Sequence, residues 1–481
     1  MSKIKNLLTA VVMMSLCPVH AGMGRFANRG EPAGLSPSAD YRVWVGGRQV
    51  FVFASPVPAA WCSFELSGPL TVTIKANRDI KWVDVRPLSA GVHPVFSDST
   101  ITFTLSRPGQ LSIELNGSIR LPLFLFADPP EGRRPGGSDA RTIFFAAGQV
   151  YHPGVITMKS GQTLYIEAGA VVVGSIHAEG ASDIHIAGRG VLDGSGNKTS
   201  QSYHRSIDLV DCRQVRIEDI TLSNSNSWQI VPIHCDGVRI TNVKIVSDEG
   251  SDDGMDIVRS RNVIVSHCFV RTKDDCIAIK SNMDYPPEAG VDSVTVQHCV
   301  FWNGVWGNAL EIGFELNSAV VQHVLFRDDD IIHVQDGAAF SIHDAGKATV
   351  QDIRYENIRI EDANQKLIDL AIVRSRYSED SGRDAEENKK LYLNGAWDGV
   401  LTVPADERAA HAVYRGHIRR ISFRDISIVD GSLPYSVLYG FDQAHAVENV
   451  SINNLTVRGR NIRSLAEAKC YLENAREVGI Y

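Results

Sequence analysis

Two acidic knots, Asp252-Asp253-Gly254 and Asp274-Asp275, lie within the run GSDDGMDIVRSRNVIVSHCFVRTKDDCIAIK, residues 250–280. Between them is a strand-like stretch in which apolar and polar residues alternate. Crowded carboxyls suit acid–base work, because like charges held close raise the proton affinity of at least one of them. One carboxyl then stays protonated near neutral pH while another is ionised. Glycoside hydrolysis uses that combination, an acid for the leaving oxygen and a base for the attacking water. Paired Asp residues also cap turns, and oxygen-rich clusters hold Ca²⁺. The choice depends on whether the fold brings the two knots together.

The elements that would do so repeat along the chain. VRIEDITL from Val215, VRITNVKI from Val238, VIVSHCFV from Val263 and VTVQHCVF from Val294 share one pattern of alternating apolar positions, with Asp, Asn or His near the middle. Their starts are 23, 25 and 31 residues apart, and later copies begin at Val350, Ile421 and Val447. A period of this length marks a solenoid. Val and Ile dominate and amphipathic helical windows are nearly absent, which argues against leucine-rich repeats and for a parallel β-helix. The mid-repeat polar residues, His267 and His298 among them, then fall where strands turn and form ladders. Asp253 and Asp274, 21 residues apart, are expected on neighbouring rungs of one face with Asp275 beside them.

Groups suited to sugars surround these acids in sequence: Trp228 and His234, then Lys280, then Trp306, Asn308 and Glu311 in VWGNALEIG, and His343 in FSIHD. Aromatic faces stack on sugar rings, and amide or charged groups fix hydroxyls. No Cys-x-x-Cys or Cys/His spacing suggests a metal, and no cofactor is expected.

The rest of the chain divides by composition. Residues 1–21 carry Lys3 and Lys5, an apolar run and small or neutral residues near a cleavage point, as in a secretory signal. Short alternating strands over 22–126 suggest a small antiparallel β-sandwich. Residues 127–140, ADPPEGRRPGGSDA, are expected to be a linker. The β-helix would occupy 141–481, with a charged flank insertion near 374–415 that breaks the period. A net charge of −8 without a basic block excludes a nucleic-acid groove. No apolar run after the signal reaches the roughly 20 residues of a membrane span. The expected partner is therefore a polysaccharide or oligosaccharide, met in the periplasm or outside the cell. Seven cysteines remain after the signal, an odd number, and are read mostly as small buried hydrophobes.

GSDDGMDI followed by KDDCIAIK resembles the signature of the polygalacturonase family of glycoside hydrolases, family 28, at the family's separation. GRGVLDGSG, residues 188–196, is similar to the family's upstream glycine-rich turn, and SNSNSWQI occupies the place of its Asn-Ser-Pro-x-Trp segment. The resemblance spans roughly residues 140–460. It implies a right-handed parallel β-helix and an inverting hydrolase, with Asp274 as general acid and Asp253 and Asp275 holding and activating the water. Two motifs depart from the family pattern: Asn308 replaces its His, and Ser341-Ile342-His343 stands where its Arg-Ile-Lys grips the sugar carboxylate. Without that Arg and Lys, bidentate and point-charge contacts to an anionic sugar are lost. A front sandwich before a β-helix also resembles the dextranase family, family 49, which acts on a neutral glucan. The other functions to weigh are a β-helix lyase or epimerase of uronates and a non-catalytic glycan-binding solenoid.

Overall fold

The computed structural model describes residues 25–27, 31–32, 34–55, 57–132, 134–136, 139–197, 205–225, 227–282, 288–381, 400–401 and 403–481. The expected signal segment and the middle of the flank insertion, residues 382–399, lie outside the described residues.

From Thr142–Phe145 to Ala475–Ile480 thirty strands join in one sheet wound as a right-handed parallel β-helix, in which strands pair in parallel with their counterparts one coil on; Arg460–Asn461 folds back antiparallel, and Arg374–Ser375 with Val400–Leu401 forms a separate pair. Alternation dictates this arrangement. Every second side chain of a strand faces inward, and Val215, Val238, Val263, Val294, Val324, Ile353, Ile421 and Val450 stack in register as one buried column. Burying each such side chain contributes about 1.5–3 kcal/mol, and β-branched residues suit the pleated surface. Among the described residues the single α-helix is the five-residue Arg408–Ala412.

Polar mid-repeat residues mark the corners. Asp219, Asn242, His267, His298, Asp328, Asn357, Asp425 and Asn454 all have φ between 51° and 68°. This left-handed conformation is one that Asn, Asp and His tolerate better than other non-glycine residues. The ladder interactions are present: Asn242 donates to Asp219 at 2.7 Å, and the His267 and His298 rings lie 5.0 Å apart. All seven cysteines after the expected signal are free thiols; six are buried and Cys470 is half-buried.

Two further sheets precede the solenoid and enclose a core that includes Val43, Phe64, Ile74, Ile113 and Leu125. Their pairings are antiparallel except one: Ala60–Ser67 runs parallel to Ser118–Asp128, where the sequence suggested an antiparallel sandwich throughout. Phe124 and Phe126 pack against Phe269 and Trp302 of the solenoid. Buried ion pairs cross the same junction: Arg86 to Glu361 at 2.7 Å, Lys244 to Asp128 at 2.5 Å, and His333 to Glu114 at 3.0 Å. The final residues of the strand, Ala127 and Asp128, belong to this buried seam although composition suggested that the linker begins there.

Candidate active site

On one face of the solenoid, Ile230–Ile233, Met255–Val258, Ile277–Ser281, Leu310–Leu316, Ala338–Asp344 and Lys366–Ile372 are stacked in parallel register. Met255, Ile257, Ile277, Ile279, Leu310 and Ile312 turn into the core. The alternate positions carry the polar groups. Met255 pairs with Ile277, an offset of 22 residues, and the main-chain N of Gly254 donates to Asp275 O at 2.8 Å. Asp253 therefore stands level with Asp275, and Asp252 with Asp274. The 21-residue spacing predicts Asp253 and Asp274 on neighbouring rungs of one face with Asp275 beside them; the coil is 22 residues long, so Asp275 is the residue level with Asp253.

This shift separates the two members of the first knot. Asp252, fully buried, turns away from the groove and ties the next coil in place: its Oδ1 accepts from the main-chain N of Lys273 at 2.9 Å and of Asp274 at 3.0 Å, and its Oδ2 accepts from Glu249 N at 3.0 Å. From the other side, Thr272 Oγ1 and Asn303 Nδ2 donate to the Asp274 carbonyl at 2.7 and 2.8 Å. Asp274 is thereby clamped at both its N–H and its C=O while its side chain, partly exposed, faces a cavity. Gly307 closes over it: a Cβ there would lie 2.3 Å from Asp275 N and 2.7 Å from Asp274 Oδ1.

The cavity, about 460 Å³, is lined by Asp253, Asp274 and Asp275, by Lys280 and Asn308, by Trp228 and Trp306, and by Phe314, Glu315, Asp336, Arg376 and Tyr377. Burial pushes Asp275 well above the usual carboxylate range, and the charges of Asp253, Asp274 and Glu311 add to the effect. Burial and Asp253 raise Asp256 in the same way against the pull of Lys280. Asp252 is pushed up to about 6 by burial, against its N–H donors. Burial alone would lower the Lys280 ammonium, but Asp253 and Asp256, each 3.0 Å away, and Glu315 at 3.9 Å hold it well above its ordinary value. Lys280 thus serves as the counter-ion of the acidic cluster. Its Nζ also lies 3.8 Å from the Trp228 ring centroid, a cation–π contact. Trp306 is half-exposed, with Lys273 Nζ 4.3 Å from its ring.

Four of the seven residues expected to hold sugar, Trp228, Lys280, Trp306 and Asn308, line the cavity with the three acids. The other three do not reach it. His234 has φ 52° and sits in a corner ladder, its Nδ1 2.5 Å from Asp211 Oδ1; it is a turn residue like His267. Glu311 and His343 are buried beneath the floor and bond to each other. Sequence reasoning missed Phe314, Glu315, Asp336, Arg376 and Tyr377. Glu315 follows Gly313 in a quoted motif, but Arg376 and Tyr377 come from the start of the aperiodic insertion, which carries no signal of where it folds. Among the described residues no group of three or more His, Cys, Asp or Glu is arranged to hold a metal ion.

The fold and the site together define the class as a parallel β-helix with a carboxyl-lined groove on one face. The comparisons place the chain within it more narrowly. The profile of Glycosyl hydrolases family 28 matches residues 142–386, slightly more than half of the chain, and the chain belongs to that family. A polygalacturonase from Juniperus ashei is 24% identical over 210 residues, covering 40% of either chain. An exopolygalacturonase from Cochliobolus carbonum is 26% identical over 179 residues, 34% of this chain and 38% of its own. The chain thus spans about 40% of the length of these curated relatives. The solved family 28 exopolygalacturonase of Yersinia enterocolitica superposes with a TM-score of 0.51 at 12% identity, covering 95% of this chain and 93% of that one. The likeness is in fold, and it extends through the front sheets as well as the solenoid.

Proposed function

We propose that the protein is an exported, polygalacturonase-like glycosidase that cleaves a polysaccharide with inversion at the anomeric carbon. The observation that carries this is the meeting of Asp253, Asp274 and Asp275 in one cavity, with a cation on one side of the cluster and raised proton affinity on the other. Carboxyls that share one cavity titrate as a group, so the proton that burial favours on Asp275 belongs to the cluster and not to that residue alone. In the proposed step Asp274 passes a proton to the glycosidic oxygen as the C–O bond breaks. A water held by Asp253 and Asp275 attacks the opposite face of the anomeric carbon and gives its proton to that pair. Trp228 and Trp306 offer faces for the sugar rings. The family membership and the named relatives support galacturonan as the polymer, and the character of residues 1–21 supports export.

A second reading of the substrate comes from the floor. Ser341 and His343, at the places of the carboxylate-gripping Arg and Lys, are buried and do not line the cavity. Lys280 is held by three acids, and Asp253, Asp274, Asp275, Glu315 and Asp336 make the lining acidic. Such a lining favours an uncharged sugar unit at the point of cleavage. Polygalacturonate, its methyl ester and a panel of neutral glycans separate the two readings, because the ester keeps the backbone and removes the charge. Proton NMR of the first product reads the anomer. A product that retains its configuration sinks the inverting mechanism, and full activity in Asp274→Asn sinks the assignment of the acid.

A further inference from the structure

Behind Asp275 the cavity floor is polar, and its polar groups form a single row. Asn308, Glu311, His343 and Asp369 are 3%, 0%, 2% and 3% exposed. Asp275 Oδ1 accepts from the main-chain N of Asn308 at 2.7 Å and from its Nδ2 at 3.3 Å. The same Nδ2 donates to Glu311 Oε2 at 3.1 Å. Asn308 Oδ1 accepts from Ala338 N at 2.9 Å, which fixes the amide: a flip would set its NH₂ group against an N–H. Both oxygens of Glu311 lie 3.0 Å from His343 Nδ1, His343 Nε2 lies 3.1 Å from Asp369 Oδ2, and Lys366 closes the row on Asp369. The Phe314 ring stacks on the imidazole, with centroids 4.6 Å apart, and itself lines the cavity, so substrate does not touch His343.

Ionised groups out of water are costly even when paired, and an apolar packing of similar volume would serve stability as well. What the row offers instead is a defined hydrogen-bond pattern ending on an acid of the site. We propose that Glu311, His343 and Asp369 are positioning residues for hydrolysis, acting through Asn308 to fix the orientation of the Asp275 carboxyl and the charge it faces. This inference rests on the acid–base reading above. Both donations to Asp275 fall on Oδ1, so a proton taken from water goes to Oδ2. His343 faces a carboxylate at each ring nitrogen and is an imidazolium; burial works against its charge, but Glu311 and Asp369 raise it to about 9. Asn308 Nδ2 stands between Glu311 and Asp275, and the Glu311 charge acts on Asp275 and on the buried Tyr355 hydroxyl. Loss of the imidazolium leaves the Glu311 charge uncompensated and raises the proton affinity of Asp275 further.

The test is charge compensation. In His343→Gln the pH optimum of kcat, measured on a polysaccharide the wild-type chain cleaves, moves up by about one pH unit while KM changes by less than about twofold. The double variant E311Q/H343Q removes both charges and returns the optimum to the wild-type position. Asn308→Asp, of the same shape, turns the donor facing Asp275 into an acceptor and lowers kcat about 100-fold; it decides the matter if His343→Gln does not fold. An unmoved optimum in His343→Gln, a uniform loss at every pH that the double variant does not reverse, or full activity in Asn308→Asp overturns the proposal. One arm needs no substrate. The thermal midpoint difference between wild type and His343→Gln is widest below pH 6.5 and closes as pH rises through about 9; a flat difference overturns the relay. A wild-type chain that cleaves nothing while showing this closing difference counts against the acid–base reading alone.

Discussion

The seam between the front sheets and the solenoid holds a buried histidine between two carboxylates. His333, 2% exposed, has Glu114 of the front sheets 3.0 Å from Nε2 and Asp362 of the solenoid 2.9 Å from Nδ1. Burial would lower its proton affinity, but Glu114 and Asp362 together raise it from 6.5 to about 9. That difference corresponds to roughly 3 kcal/mol of tighter proton binding in the folded state. Because the folded value lies above the unfolded one, this stabilisation is fully present below pH 6.5 and is lost as pH rises through about 9. Burial would raise Glu114, but His333 holds it low, and the hydrogen bond from His333 lowers Asp362. Their share is lost on the acid side, as pH falls below their ordinary 4.5 and 3.8. His333→Gln keeps a hydrogen-bonding side chain and removes the charge. Thermal unfolding of both proteins between pH 4 and pH 10 should show the variant lower by about 6 °C near pH 6, at roughly 2 °C per kcal/mol. The gap should narrow through pH 9. Since Glu361 and the other seam groups are common to both proteins, they cancel. A gap that stays constant from pH 6 to pH 10, or widens, would refute the reasoning.

Lys280→Met leaves Asp253, Asp256 and Glu315 facing one another without a cation. A destabilisation of about 3–5 kcal/mol at neutral pH is expected by denaturant unfolding, shrinking on acidification as Asp256 takes up a proton. Asp252→Asn sets an NH₂ group among three main-chain N–H donors and loosens the turn that carries Asp274. The expected loss in kcat is about 100-fold with KM nearly unchanged, and equal loss in Asp252→Ala and Asp252→Asn without a change in KM would agree with it. Gly307→Ala places a methyl against Asp275 N and Asp274 Oδ1; circular dichroism should show the β-helix intact while activity falls at least tenfold.

Much of the solenoid was legible because its signals are local. The alternation of Val and Ile announces strands, and Asn, Asp and His at the corners announce left-handed turns without reference to any distant residue. The acidic knots were legible as a pair for the same reason. Their register was not: an offset of 22 rather than 21 sets Asp275, and not Asp274, level with Asp253, and leaves Asp252 as a tether for the next coil. His234 looked like a sugar ligand beside Trp228, yet its corner position sends it to Asp211. Glu311 and His343 lie on strands whose outward face is itself covered, so alternation alone could not tell floor from groove.

The sequence by itself determined the repeat, its handed winding by resemblance, and the set of carboxyls that meet, because a strand's period of two and a coil's length are properties of a short stretch of chain. Only the tertiary structure decided that Glu315 and Asp336 join those carboxyls in the cavity, that Lys280 is spent on holding them, and that Arg376 and Tyr377 arrive from an aperiodic segment about a hundred residues further on. Those outcomes depend on the register between coils and on which faces become covered. Side chains far apart in the chain set both, and no short window of residues records them.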